Sequence, residues 1–272
     1  MQVTMATEPA QSHQDNEDFV GAVPGAVVLL DGAGSAGADS GCLHGVAWYS
    51  RQLGTRLLER LLSPDAGDLR EVLGEAISAV AGMHGSACQL DHPGTPSATV
   101  LLVRVRGGQV EYLLLADSTL VIESPTGNTA VTDDREAQVG ARYRQEMDAM
   151  PNGSEEHALA LRRYIEAMRN HRNRPDGFWV ASTDPDAATE AVTGSVPADE
   201  VRSLALLSDG ATRLVDSFAL ADWDAVVRTL RQDGPGELIR QTREAERSDP
   251  DGRRWPRGKA FDDATAALVV FS

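Results

Sequence analysis

Ala26-Val27-Val28-Leu29-Leu30 runs without a polar interruption into Asp31-Gly32, and that junction decides how the chain is read. Five apolar residues with β-branching, cut off by an acid and a glycine, predict a strand buried on both faces. A Gly/Ala/Ser-rich loop over 32–41 follows it. Leu53, Leu57 and Leu61, flanked by Leu58 and Leu62, then fall on one helical stripe. After the break at Ser63-Pro64-Asp65, a second stripe takes in Leu69, Val72, Leu73, Ile77, Val80 and His84. The period changes next: 98–105, a Gly107-Gly108 turn and 110–116 predict a hairpin, which 120–123 continues as a meander. Residues 135–150 and 154–170 read as a helical pair, an insertion or flap over about 125–175. Segments 177–182 and 204–208 read as strands around a short helix after Pro185, 218–246 as helical, and 266–271 as a last strand. Residues 1–15 read as a flexible lead or an edge strand. This order lacks the alternation of a doubly wound parallel sheet. It predicts one α+β domain over 1–272, a four-layer α-β-β-α sandwich of two antiparallel sheets flanked by helices.

Composition narrows the function. The 272 residues hold 25 Lys+Arg against 41 Asp+Glu, a formal charge of −16, which argues against nucleic-acid or anionic-membrane partners. No apolar run approaches the ~20 residues of a bilayer span, and residues 1–18 show no signal-peptide pattern, so the expectation is a cytoplasmic protein. Cys42 and Cys88 lack CxxC spacing and read as buried or incidental thiols.

The acids are placed unevenly. Asp31, Asp117 and Asp209 each follow an apolar run and precede a small residue, Asp262-Asp263 precede the last strand, and Glu17-Asp18 precede the first. Strand ends converge in a packed sheet, so these carboxylates are expected in one cleft, where they repel one another unless protonated or sharing cations. An all-oxygen donor set selects Mg²⁺ or Mn²⁺ over Zn²⁺. The plainer reading of any one site is a turn former.

Seven motifs, in order, resemble those of the metal-dependent protein phosphatases of type 2C (PPM-type), in their bacterial form. They are Asn16-Glu17-Asp18, Leu29-Leu30-Asp31-Gly32-Ala33-Gly34, Gly94-Thr95-Pro96-Ser97-Ala98-Thr99, Leu115-Ala116-Asp117-Ser118, Val131-Thr132-Asp133-Asp134, Leu206-Leu207-Ser208-Asp209-Gly210-Ala211 and Phe261-Asp262-Asp263-Ala264-Thr265. The resemblance implies a sandwich holding two Mn²⁺ or Mg²⁺ ions, with a third in many members. By the same resemblance Asp31 bridges the two metals and the Gly32 carbonyl binds one of them. Glu17 serves the second metal, Asp209 and Asp262 the first, and Asp117 with Asp209 the third. Asp18 orients an activated water. The implied activity is hydrolysis of phosphoserine and phosphothreonine monoesters in proteins by that water, with a phosphoprotein substrate and a cognate Ser/Thr kinase system as partners.

The departures from the family pattern also carry expectations. His13 stands where the family has a phosphate-holding Arg, so it reads either as a single donor to the substrate phosphate or as a solvated loop residue. Ala33 lies where some relatives place a His, Ala116 replaces a Gly, and Asp263 stands for the usual Asn. His44 reads as a packed or surface residue, or as a supporting group near the site. Arg142, Arg144, Arg162, Arg163, Arg169, Arg172 and Arg174 read as a solvated helix face or a contact for a phosphoprotein. Two rival functions are compatible with parts of the sequence. Gly32, Gly34 and Gly37 formally make GxGxxG, but the helix at 57–62 occupies the place of the second dinucleotide-binding strand. A non-catalytic pseudophosphatase that keeps the fold as a regulatory or binding module is the stronger alternative.

Overall fold

The computed structural model describes residues 1–34 and 39–271; Gly37, and with it part of the glycine-rich loop, lies outside the described residues. In chain order the strands are β1 (Gln2–Glu8), β2 (Phe19–Val23), β3 (Ala26–Leu30), β4 (Gly32–Ala33), β5 (Ser97–Ala98), β6 (Val100–Arg106), β7 (Gln109–Leu115), β8 (Thr119–Ser124), β9 (Gly127–Val131), β10 (Val192–Pro197), β11 (Ser203–Leu207) and β12 (Ala264–Val270). The α-helices are α1 (Val46–Leu61), α2 (Leu69–Ala81), α3 (Arg135–Gly140), α4 (Gln145–Asp148), α5 (Glu155–Arg169), α6 (Asp209–Asp216), α7 (Trp223–Gln232) and α8 (Pro235–Ser248). One five-stranded sheet runs β1-β12-β11-β8-β9, another β10-β7-β6-β3-β2, and β4 pairs β5 in a short two-stranded sheet; all paired strands are antiparallel.

β3 shows why two sheets and two helical layers result. Side chains alternate across a strand. Val27 and Leu29 enter the core between the sheets with Leu101, Val103, Leu204, Leu206 and Val269. Val28 and Leu30 face the other way, into a layer built with Leu53 and Leu57 of α1 and Val72 and Ile77 of α2. The second sheet repeats the arrangement: Val121, Ala205, Leu207 and Leu268 meet Leu214, Val226, Leu230 and Leu238 of α6–α8. Each buried aliphatic side chain contributes roughly 1.5–3 kcal/mol. Asp68 starts α2 with a capping box, accepting from the backbone N–H of Arg70 and Glu71.

Several boundaries differ from the sequence reading. Residues 177–182 form no strand; the segment makes only the isolated bridges Ala98↔Ala181 and Arg172↔Phe178. β9 and β10 were not expected, because they are sheet edges with half their residues solvated and no apolar run. α6 begins at Asp209 itself, where Ser-Asp-Gly reads as a turn. α2 ends at Ala81, so His84 leaves the helical stripe assigned to it. The 1–15 segment resolves into edge strand β1 and an exposed turn. The helices of 135–170 come down beside Asp117, where Val139 and Met168 pack with Ala116, Phe178 and Val180. Several of the insertion's arginines are held by neighbours, Arg144 on Asp148 and Arg163 on Glu146 among them. Among the described residues no helix is long and apolar enough to cross a membrane.

The C-terminus of α6 is strained. Phe218 N–H donates to Arg213 O and Leu220 N–H to Leu214 O, which holds the exposed Ala219 at φ 51, a left-handed conformation. A β-carbon there costs about 1–2 kcal/mol, partly offset by the entropy that glycine loses on folding. Ala219→Gly is expected to stabilise the chain by about 0.5–1 kcal/mol, raising Tm by roughly 2–3 °C in thermal denaturation.

Candidate active site

The acids singled out in the sequence meet at one end of the sandwich. Phe19 pairs with Leu30, which puts Asp18 next to Asp31 across the first sheet. Thr119 pairs with Leu207 and Leu207 with Ala266, which brings the Asp117, Asp209 and Asp262 ends of the second sheet together. The two groups join where Asp209 N–H, the first residue of α6, donates to Asp31 Oδ2 at 3.3 Å. Two glycines permit the approach. A β-carbon on Gly32 would lie 2.4 Å from Glu17 O, and one on Gly210 would lie 1.9 Å from Asp263 O.

Neighbours hold several of these acids in place. Asp31 N–H donates to Thr99 Oγ1 (3.2 Å), which bonds Ser118 Oγ at 2.6 Å. Asp18 Oδ2 accepts from Thr265 Oγ1 at 2.6 Å, whereas Asp18 Oδ1 is buried without a partner. Asp263, in the family's Asn position, accepts Ala10 N–H at 2.6 Å through Oδ1 and Glu17 N–H at 2.7 Å through Oδ2, so it clamps the Glu17-Asp18 segment to the last strand. Asp262 takes Arg213 on Oδ2 (2.9 Å) and Lys259 on Oδ1 (2.6 Å). Arg213 also pairs with fully buried Glu246 at 2.6 Å, and Glu246 with Arg243 at 2.7 Å.

Electrostatics shows what this crowding costs. Burial, then Asp18, Asp209 and Asp262, push the Asp31 carboxyl well above its usual range. Burial and the neighbouring acids lift Asp18 to about 7, and burial with Asp262 raises Asp209 against the opposing pull of Arg213. Burial also raises Glu17, with Lys259 opposing. Asp262 is the exception: burial opposes its ionisation, but Lys259 and Arg213 outweigh burial and hold the carboxyl below its usual value. These are donors awaiting positive charge.

The sequence reading missed several members. Glu136, in the first turn of α3, is raised to about 7 by burial and then Asp209, with Arg172 opposing. Glu136 also raises Asp117, second only to burial. Its only sequence signal was its place just after Asp133-Asp134. Lys259, Arg213 and Glu246 carried no motif signal of their own, and Thr265 stood in the last motif without a role assigned to it. Ala116, the replacement for Gly, sits at φ 67, so that replacement carries about 1–2 kcal/mol of backbone strain. His13 lies exposed in the turn after β1 and makes no hydrogen bond or ion pair among the described residues. Arg172 donates to Ser97 Oγ at 2.9 Å and to Pro93 O and Thr95 O, so its guanidinium ties loops together.

The residues fit a group of hard divalent ions. The donors are all oxygen, they are crowded beyond what their own charges tolerate, and one buried carboxylate oxygen is orphaned. With that geometry in hand, a family model described as protein phosphatase 2C matches residues 8–242. The chain belongs to the protein phosphatase 2C family. Solved structures with the same fold include a bacterial serine phosphatase, 15% identical, covering 100% of this chain and 98% of that one, with a TM-score of 0.62. The Mycobacterium tuberculosis serine/threonine phosphatase PstP/Ppp is 16% identical, with 100% and 98% covered and a TM-score of 0.61. The catalytic domain of PstP in complex with two manganese ions is 16% identical, with 98% and 96% covered and a TM-score of 0.55. No curated protein sequence matches the chain. The 2C-type fold thus accounts for the sandwich of two antiparallel sheets and for the gathering of acids at one of its ends.

The raised carboxyls make the metal-free chain sensitive to pH. An acid whose folded pKa lies above its unfolded value binds more protons when folded, so stability falls as pH rises through that interval. For Asp18 the interval runs from the ordinary value of 3.8 to about 7. In metal-free buffer the parent is expected to lose stability from about pH 4 to pH 7 relative to Asp18→Asn, measured as the Tm difference across a pH series. A difference that stays flat, or rises with pH, refutes the electrostatic picture.

Proposed function

We propose that the chain is a metal-dependent phosphatase acting on phosphoserine and phosphothreonine in proteins. The observation that carries this reading is the convergence of Asp31, Asp209, Asp262 and Glu17 on one buried, mutually repelling cluster in a 2C-type chain. In it, Asp31, Gly32, Glu17, Asp209 and Asp262 hold two Mn²⁺ or Mg²⁺ ions, and Asp117 with Asp209 marks a third position. When bound, the ions supply a lowered water pKa and neutralise charge on the phosphate oxygens.

The chain's own residues do the rest. Asp18, anchored through Oδ2 to Thr265, keeps Oδ1 free to hold a proton of the attacking water. The Thr99–Ser118 hydroxyl pair and the N-terminus of α6 fix Asp31 from two sides. Arg213, braced by Glu246, keeps Asp262 ionised and oriented. Exposed His13 offers one donor to the incoming phosphate, a weaker hold than a bidentate arginine. The helices of 135–170 lie beside Asp117, where a phosphoprotein would approach. We read 1–272 as a single cytoplasmic phosphatase domain that opposes a Ser/Thr kinase system.

One observation favours the alternative of a non-catalytic module: the Lys259 ammonium already occupies Asp262 at 2.6 Å and must yield for that carboxylate to bind a metal. Turnover separates the two readings. Hydrolysis of a phosphothreonine peptide by the metal-free chain is expected to appear only on adding Mn²⁺ or Mg²⁺. Asp31→Asn or Asp209→Asn is expected to lower kcat/KM by roughly 100-fold or more. Tight Mn²⁺ binding with no turnover on peptide or aryl phosphate would favour the binding module instead.

A further inference from the structure

We propose that Cys42, His44, His84 and Cys88 form a second metal site, separate from the carboxylate cluster, that holds one structural Zn²⁺. Their ligand atoms all lie within 4.8 Å of one another. Cys42 Sγ is 3.5 Å from His44 Nδ1, 3.4 Å from His84 Nδ1 and 3.5 Å from Cys88 Sγ, and Cys88 Sγ is 3.6 Å from His44 Nδ1. Tetrahedral zinc, with Zn–S near 2.3 Å and Zn–N near 2.0–2.1 Å, requires ligand-to-ligand edges of about 3.4–3.8 Å. These four separations match edges of that tetrahedron, and the two remaining pairs of ligand atoms lie within 4.8 Å. A disulfide is the wrong description, because bonded sulfurs lie about 2.05 Å apart and the two histidines would be left without a purpose.

The surroundings preorganise the four donors. His44 stacks on Trp48 with centroids 3.9 Å apart and planes at 22°, while His84 meets Trp48 edge-on at 5.1 Å. His44 N–H points at Cys42 Sγ at 3.3 Å, a donor suited to a thiolate. On this proposal the two cysteines are ligands rather than incidental thiols, and His44 is a packed residue against Trp48 that also ligates. The pattern escaped notice in the sequence because it is Cys-x-His followed forty residues later by His-x₃-Cys, with no CxxC in either half.

Two thiolates and two imidazoles select zinc over the hard ions suited to the carboxylate cluster. Binding releases the two thiol protons to solvent, and no oxidant is involved. The ion would clip two segments that flank Asp31 in space. One, 39–45, leads into α1; the other, 82–96, leads into Ser97-Ala98-Thr99, whose threonine supports Asp31 N–H. The segments already touch through Gln89 N–H on Gly41 O at 2.7 Å. The site stands whether or not the phosphatase reading holds.

The test uses the full chain purified in reducing buffer without added metal. Elemental analysis is expected to find about one zinc per chain, largely lost in Cys88→Ser and retained in Asp31→Asn. Cobalt loaded in place of zinc is expected to give a thiolate-to-cobalt charge-transfer band and tetrahedral d–d bands in the parent and in Asp31→Asn, but not in Cys88→Ser. Stripping the zinc is expected to lower Tm by roughly 5–10 °C, reversed by Zn²⁺ and not by Mn²⁺. Less than about a tenth of an equivalent of zinc with no thiolate–cobalt band would overturn the proposal. So would zinc that survives in Cys88→Ser and disappears in Asp31→Asn.

Discussion

The mutual repulsion of Asp31, Asp18, Asp209 and Asp262 at one end of the sandwich is the constraint on which the rest of the structure depends. Burial raises the cost of each charge, and every neighbouring acid raises it further. A fold that gathers such groups stays intact because rigid elements hold them and because the acids protonate or meet positive charge. Arg213 and Lys259 supply part of that charge; both also act on Asp209, and Lys259 on Glu17, but only at Asp262 do they outweigh burial, so that carboxyl is pulled down rather than up. Asp31, Asp18 and Asp209 are left to protonate or to share ions from solution.

The sandwich makes that arrangement rigid. Alternation along β3 buries Val27 and Leu29 between the sheets and Val28 and Leu30 under α1 and α2, and a slip of one residue would draw Asp31 or Gly25 into these apolar layers. Asp31 is the residue that emerges where this doubly buried strand stops. Opposite it, Asp263 pins the backbone at Ala10 and Glu17, and Glu246 pins Arg213 and Arg243, the latter also donating to Glu8 O and Pro9 O. The chain's two ends are thus tied together beside the same cluster.

What the sequence revealed follows the strength of its local signals. The AVVLL run, the two leucine stripes and the glycine-turned hairpin were legible because burial on a regular period leaves a pattern in one stretch of chain. β9 and β10 were not, because edge strands need only pairing and carry no apolar stripe. Asp31, Asp117 and Asp209 were legible as acids after apolar runs, and Asp262 as an acid just before one. Glu136, Lys259 and Arg213 were not, since ordinary helix and loop positions acquire their role only through tertiary contact. The same holds for His84, whose spacing continued the α2 stripe although Gly82 had already ended the helix, and whose partner Cys42 is 42 residues away.

The central claim is that this carboxylate cluster is built to be neutralised by hard divalent ions. A crystal of the full chain grown with Mn²⁺ and measured for anomalous scattering tests it most directly. The account predicts two strong peaks within bonding distance of Asp31, shared with Glu17 on one side and with Asp209 and Asp262 on the other, and Lys259 displaced from Asp262. A map with no peak among those carboxylates, and Lys259 still seated on Asp262, would contradict it.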